Sequence, residues 1–345
     1  FISFKVMKKI KFVLAVFMAA MSVNVMAMDS VVTKKGDSKE NVAMEVEPKG
    51  KAIVSVFANY NMTMQNGVSK CGFQLDRTYL GYQYSLGNGL ELKAVMDIGK
   101  PSEVDDYHYV AYIKNAQVSW KHEGLTLTGG MISTTQFNMQ EKFWGYRYIY
   151  KSFQDQYKFG SSADLGLMVA YKFADWVSAD AIMTNGEGYK KVQGDLGFQY
   201  GLGLTFMPVE GLSVRLYGGL NDATAEGKSD VYNYAAFVGY KCDRFSLGGE
   251  FAMMQNTKNV FGDDKLGCSV YGSIKAHKIV DVYARYDWLN SLNSDYAKKD
   301  EMAVIAGLQV KLGKYVKVAP NFRMAMSRVG GENKYMAYVS CYFGL

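Results

Sequence analysis

Residues 278–289, KIVDVYARYDWL, show the pattern that decides the fold. Apolar and polar side chains alternate strictly along this segment. One face carries Val280, Val282, Ala284, Tyr286 and Trp288, and the other carries Asp281, Tyr283, Arg285 and Asp287. Period-two alternation predicts a β-strand with one apolar face. The segment is also long enough to cross a bilayer when tilted.

The same alternation recurs along most of the chain. Sixteen segments are predicted as strands: 51–64, 71–86, 89–98, 110–122, 124–135, 160–173, 174–185, 191–207, 210–220, 231–242, 243–256, 266–277, 278–289, 300–312, 313–328 and 333–345. The composition suits this interpretation, with 35 Gly, 26 Tyr, only 4 Pro and a mean hydropathy of −0.12. Pro is scarce in long strands because it removes a ladder donor.

The connections between these segments alternate between short and long. Tight turns are predicted near 87–89, 123–124, 174–175, 208–211, 243, 277–278 and 313–314. Mostly longer connections are predicted at 65–70, 99–109, 136–159, 186–190, 221–230, 257–265, 290–299 and 328–332. This asymmetry is typical of outer-membrane barrels. The predicted fold class is therefore all-β, a sixteen-stranded antiparallel transmembrane β-barrel with short periplasmic turns.

The first fifty residues differ from the rest of the chain. Residues 1–6 precede the first Met, and 7–27 combine a basic start, an apolar core and small residues before position 28. Residues 1–27 are therefore predicted to be upstream residues and a secretory signal peptide. Residues 28–50 are predicted to form a polar periplasmic segment, and 51–345 the barrel. The expected location is the outer membrane of a Gram-negative cell.

In such a barrel the apolar faces meet lipid and the polar faces line water. Parity along the strands predicts six pore-wall residues: Arg77, Lys93, Arg215, Glu250, Arg285 and Arg323. It also points a further set inward: Lys275, Lys311, Lys317, Glu91, Asp97, Asp180, Asp195, Asp281 and Asp287. The two signs of charge are nearly balanced. Counting alone therefore predicts no strong preference for anions or cations.

The segment 137–159, FNMQEKFWGYRYIYKSFQDQYKF, interrupts the strand pattern in the third long connection. It is predicted to fold inward and narrow the channel. Its candidate constriction residues are Glu141, Lys142, Arg147, Lys151, Asp155 and Lys158. An ordinary surface loop with a short helix is the alternative. The aromatic residues of the segment either stack on sugar rings or pack the loop against the wall.

Several classes of function are disfavoured. Without residues 1–27, which hold four lysines and no acid, the net charge falls from +6 to about +2, so a nucleic-acid partner is not expected. The cysteines Cys71, Cys242, Cys268 and Cys341 are widely spaced and are interpreted as small apolar fillers, although one pair could be bridged. His108, His122 and His277 fall in or beside turns, without a triad arrangement. No enzymatic activity, metal or cofactor is expected.

Three stretches carry a family resemblance: GYRYIYKSFQDQ at 145–156, SSADLGLMVAYKF at 161–173 and NGEGYKK at 185–191. They resemble the porins of Bacteroidetes-type outer membranes that are grouped with phosphate-selective porins O and P. The resemblance implies a trimeric barrel in lipid and lipopolysaccharide, with its third loop inside the pore. The expected function is passive diffusion of small hydrophilic solutes and ions. A channel specific for phosphate, other anions or sugar is the alternative.

Overall fold

The strands of this computed structural model pair antiparallel in chain order, and the last pairs with the first. The structure describes residues 49–100, 109–293 and 300–345. The strands are β1 Lys49–Gln65, β2 Val68–Gly87, β3 Leu90–Gly99, β4 Val110–His122, β5 Leu125–Ser133, β6 Ala163–Ala174, β7 Val177–Thr184, β8 Gln199–Phe206, β9 Leu212–Asn221, β10 Val231–Lys241, β11 Phe245–Gln255, β12 Lys265–His277, β13 Val280–Ser291, β14 Glu301–Leu312, β15 Val316–Ser327 and β16 Lys334–Gly344.

Closure of the sheet occurs between β1 and β16. Their register runs from Ser55 opposite Gly344 to Met64 opposite Tyr335. A closed sheet has no free edge, so neighbouring strands satisfy the backbone N–H and C=O groups. The predicted sixteen-stranded closed antiparallel barrel is confirmed. The predicted signal peptide, and the polar segment up to residue 48, lie outside the described residues.

The two faces of the barrel differ as the alternation predicts. On β13, Val282 and Tyr286 are 45% and 40% exposed on the outside, whereas Tyr283 and Arg285 are 2% exposed on the inside. The same division holds on β3, where Met96 is exposed and Asp97 is buried. Large apolar side chains are therefore exposed on the outer face of these strands, and their charged residues point to the interior. Among the described residues, no helix has the length and apolar character needed to cross a membrane.

Short and long connections lie at opposite ends of the barrel, except that one connection at the end with the long connections is itself short. The first long connection, predicted at 65–70, is instead the two-residue turn Asn66-Gly67. Both residues have positive φ, 55° and 70°. A two-residue hairpin turn of this kind requires left-handed conformations at both positions, and Asn-Gly is the pair that adopts them most readily. The boundary of this connection was therefore predicted wrongly.

The start of β8 was also predicted wrongly. The prediction begins at residue 191, but the strand begins at Gln199 and the fourth connection spans residues 185–198. Val192 and Leu196 imitate an apolar strand face, yet they are 89% and 85% exposed in the loop. The Asp195 carboxylate accepts the Gly197 N–H at 2.7 Å, a local turn that competes with strand pairing. Asp195 thus lies in a connection, not on an inward strand face.

Candidate functional site

The third connection, residues 134–162, folds into two short helices, α1 (Asn138–Trp144) and α2 (Phe153–Gln156). Gly145 ends α1 in the left-handed region with φ 70°, and its N–H bonds back to the Glu141 carbonyl at 3.0 Å. Glycine is favoured at such a position because it lacks a Cβ. The chain therefore turns sharply after α1, and the segment before α2 runs back along the barrel interior.

Aromatic side chains seat the third connection on the interior wall. The Trp144 ring contacts Tyr271 and Tyr283 edge-on, with centroid separations of 5.6 and 6.0 Å, and Tyr146 stacks on Tyr283 at 4.5 Å. Tyr271 and Tyr283 are buried on the inward faces of β12 and β13. Because these partners point into the barrel, the third connection lies within the lumen. Trp144 is only 1% exposed.

Hydrogen bonds to β11 and β14 reinforce this seat. The Tyr148 hydroxyl donates to Gln309 Oε1 at 2.9 Å. The Gln154 amide donates to Glu250 Oε2 at 3.0 Å. Glu250 is 5% exposed, so it holds the loop instead of facing open water.

Two arginines predicted to line the pore are also engaged in holding the loop. Arg285 forms a two-pronged pair with Asp287, with both N–O distances 2.7 Å, and donates to the Lys151 carbonyl at 2.6 Å. Both side chains of that pair are 0% exposed. Arg285, predicted as a pore-wall residue, is therefore covered by the loop, and Asp287 neutralises its charge there. Paired guanidinium and carboxylate planes are strongly directional.

Arg215 holds the beginning of the loop, as Arg285 holds its middle. Its guanidinium contacts Asp180 at 2.7 and 3.0 Å and donates to the Thr135 carbonyl at 2.7 Å. Gly203 makes room for this pair, because a Cβ there would lie 2.3 Å from Arg215 Nη2. Arg215 is thus a loop anchor, not an exposed wall cation.

The opposite face of the third connection carries charge. We call Glu141, Arg147, Lys151 and Asp155 the loop charge cluster. Arg147 pairs with Glu141 and lies 2.8 Å from Asp155, and Lys151 lies 3.9 Å from Asp155. Burial opposes ionisation of Asp155, but Arg147 and Lys151 outweigh it and hold the pKa of that carboxyl below its ordinary value. Burial lowers the pKa of Lys151.

A second charged group, the facing wall group of Arg77, Tyr79, Asp97 and Lys114, lies across from this cluster. Arg77 donates to the Tyr79 hydroxyl at 2.6 Å and pairs with Asp97 at 3.3 Å. The Tyr79 hydroxyl also lies within hydrogen-bonding reach of Arg147. Lys114 Nζ lies 5.3 Å from the Tyr79 ring centre. Charged groups from β2, β3 and β4 therefore meet the loop charge cluster here.

Neither Tyr79 nor Lys114 was predicted from the sequence to belong to the site. Lys114 lies at a β-bulge, because Val95 pairs with Asn115 while the next residue, Met96, pairs with Ile113. A bulge breaks the alternation that assigns a side chain to a face. Tyr79 carries no charge, so the pattern of charged residues on inward faces does not indicate it.

The remaining candidates lie apart from this meeting point. Lys142 and Lys158 are exposed, and the Lys158 carbonyl accepts a hydrogen bond from Lys265 Nζ at 3.0 Å. Lys93 is half-buried on β3. Arg323 stacks over Tyr338 at 3.6 Å and is 8% exposed. Of the twelve candidate residues, the structure brings five together: the four of the loop charge cluster and Arg77.

The cysteines and the described histidines do not join this group. All four cysteines are free thiols. His122 stacks on Trp120 at the end of β4, and His277 ends β12. His108 lies outside the described residues. Within the described ranges, no cluster of three His, Cys, Asp or Glu residues could hold a metal ion.

Comparisons with known proteins support the architecture. No family profile and no curated protein matches the sequence. OprB of Pseudomonas putida matches with TM-score 0.66 and 11% identity, covering 86% of this chain and 94% of that one. The anion-selective porin of Comamonas acidovorans gives 0.64 and 13%, with 87% and 100% covered. The trimer form of OmpT of Vibrio cholerae gives 0.55 and 15%, with 86% and 99% covered. The chain therefore has the fold of these outer-membrane porins.

Proposed function

We propose that this chain is an outer-membrane porin, a water-filled channel for passive diffusion of small hydrophilic solutes and ions. The observation that carries the proposal is a closed barrel with an apolar outer surface and a charged interior. In a membrane the outer surface meets lipid, and closure leaves no unpaired backbone at the edge. The many long connections then lie on the extracellular side, with the short turns in the periplasm.

Solute size would be limited by the third connection, and ion preference by the charges at its free face. Around the Arg147 side chain, Arg77, Lys114 and Lys151 join it to give four basic groups. Three acids, Asp97, Glu141 and Asp155, accompany them, as their short separations and ion pairs indicate. Rings of opposed charge in a narrow passage set channel selectivity. The slight excess of positive charge supports a weak preference for anions.

A substrate-specific channel is the second candidate. Stacking on sugar rings is disfavoured, because Trp144, Tyr146 and Tyr148 are at most 7% exposed and pack the loop against the wall. Phosphate selectivity, which the resemblance to porins O and P implies, needs basic groups with few competing carboxylates. Arg77 and Arg147 both pair with carboxylates, which favours the general porin. That the chain is not an enzyme remains a prediction.

The proposed partners follow from the placement of the barrel in an outer membrane. The apolar outer wall suits lipid and lipopolysaccharide, and one structural relative is described as a trimer. A homotrimer is therefore part of the proposal. Residues 1–27 would direct export and then be removed.

Reconstitution in a planar lipid bilayer tests the proposed function. We expect stepwise conductance. In a KCl gradient we expect a reversal potential whose sign shows that chloride permeates more readily than potassium. Absence of conductance steps from protein that migrates as a folded, heat-modifiable band would overturn the porin proposal. Block of the current by phosphate at low concentration would favour the specific channel instead.

A further inference from the structure

The fourth connection, residues 185–198, is fixed to the barrel over its first half. The Asn185 N–H donates to the Leu165 carbonyl at 3.0 Å, and the Tyr189 N–H to the Ala163 carbonyl at 2.9 Å. The Gly186 N–H donates to the Asp164 carboxylate at 2.7 Å. These bonds extend the pairing with β6 beyond the end of β7 and into the fourth connection. The backbone of Tyr189 is therefore held in one place.

The fourth connection also packs closely on the end of the third. Gly188 has φ +80°, and a Cβ there would lie 2.5 Å from Ser161 Oγ. Both the backbone conformation and the close approach favour glycine. The two connections thus form one contiguous structure beside the loop charge cluster.

From this position Tyr189 reaches the facing wall group. Its hydroxyl donates to Asp97 Oδ2, a residue 92 positions earlier in the chain. The other oxygen of Asp97 pairs with Arg77 at 3.3 Å. Lys114 Nζ lies 4.9 Å from the Tyr189 ring centre, an attractive cation–π distance. Tyr189 is therefore the point where the fourth connection meets the charged wall.

Lys190 adds a further positive charge at the same place. Its Nζ lies 4.9 Å from the Tyr112 ring centre and 6.0 Å from that of Tyr189. The two tyrosine rings meet edge to face, with centroids 6.4 Å apart and planes at 87°. The lysine is thus directed toward β4 by aromatic rings, although the residue itself is exposed.

We propose that the fourth connection, residues 185–198, borders the passage beside the third connection, and we call it the lip. Tyr189 is its positioning residue, and Lys190 is a determinant of ion preference. The inference rests on the proposed porin function and deepens it. Tyr189 holds the lip over the wall through Asp97, and Lys190 raises the local concentration of passing anions. Removing the Tyr189 hydroxyl releases the Tyr189 side chain from the wall and leaves Asp97 with one donor fewer.

Tyr189→Phe tests the positioning role, because the ring remains and only the hydroxyl is lost. We expect larger single-channel conductance, more open-channel noise and a reversal potential shifted toward cations. Tyr286→Phe is the matched control, since it removes a tyrosine hydroxyl from the outer face of β13 and is expected to leave all three readouts unchanged. Conductance and noise equal to wild type in Tyr189→Phe, or equal changes in both variants, would overturn the positioning role.

Lys190→Gln tests the selectivity role in an exposed residue whose replacement does not threaten folding. We expect the anion-to-cation permeability ratio to fall about twofold, as for loss of one partly screened charge near the passage. Lys228→Gln, an exposed lysine of the connection at 222–230, is the matched control and should leave the ratio unchanged. An unchanged anion-to-cation permeability ratio in Lys190→Gln would refute the proposed role of the lip. Absence of conductance from the folded wild-type protein would instead refute the porin function itself.

Discussion

Arg147 is the residue whose replacement tests the candidate constriction most directly. It joins Glu141 and Asp155 on the loop and lies against Tyr79 of the facing wall, so it is central to both charged groups. Arg147→Gln removes its positive charge and leaves both carboxylates in place. We expect the channel to lose its weak anion preference, because three basic and three acidic groups then remain.

The magnitude follows from Coulomb's law. A monovalent ion passing about 6 Å from the guanidinium interacts with it by roughly 0.7 kcal/mol at the dielectric constant of water. Screening over a Debye length of about 10 Å in about 0.1 M salt lowers this to about 0.4 kcal/mol. That energy changes the local ion concentration about twofold. Because anions lose what cations gain, the anion-to-cation permeability ratio should fall about fourfold.

The assay is the reversal potential of single channels in a KCl gradient, repeated at several ionic strengths. Lys142→Gln is the matched control, since it makes the same charge change on α1 in an exposed side chain. The difference between the two variants should shrink as salt rises, because screening weakens the interaction. Equal reversal potentials for wild type and Arg147→Gln, with normal conductance, would refute a position for Arg147 in the passage.

Three further predictions concern the charges and the seat of the loop. Asp155→Asn should raise the anion preference, opposite in sign to the arginine variant, and a shift toward cations in the same KCl gradient would contradict this account. Because burial lowers the pKa of Lys151, anion preference should decline as pH rises toward 10.5, before an ordinary lysine loses its proton, and Lys151→Met should weaken that decline in reversal potential. Gly203→Ala should separate the Arg215 pair and reduce stability by about 1–3 kcal/mol, seen as a lower gel-shift unfolding temperature. The control Gly249→Ala has no atom within 4 Å of its new Cβ and should unfold like wild type.

The barrel was predictable because lipid and water impose opposite demands on alternate residues of every strand. On β13 the observed exposure follows this pattern at every residue from Asp281 to Asp287. The start of β8 was not predictable in this way, because Val192 and Leu196 show the same alternation in a solvated loop. Alternation of apolar and polar residues indicates which face a side chain lies on only where the segment forms a strand.

The candidate site was predictable in place but less so in detail. The position of the third connection in the chain order, together with the family resemblance, was enough to predict which loop folds into the barrel interior. Its wall partners were harder to identify, because they depend on contacts between residues 80 to 161 positions apart, such as Tyr148 with Gln309. The spacing of Arg285 and Asp287 on one strand face was a readable sign of an internal ion pair. The pair of Arg215 and Asp180 was not, since it forms across an intervening strand.

The anchoring of the third connection has a consequence for the order of folding. The connection joins β5 to β6, but its hydrogen-bond partners on β11, β13 and β14 lie 96, 134 and 161 residues from the loop residues they contact. Hairpins between successive strands form from local contacts, whereas this seat requires most of the later chain to be in place. Seating of the loop is therefore expected to follow the assembly of these strands. A barrel in the preceding stage would have an open interior, so the same contacts that fill the lumen also complete its assembly.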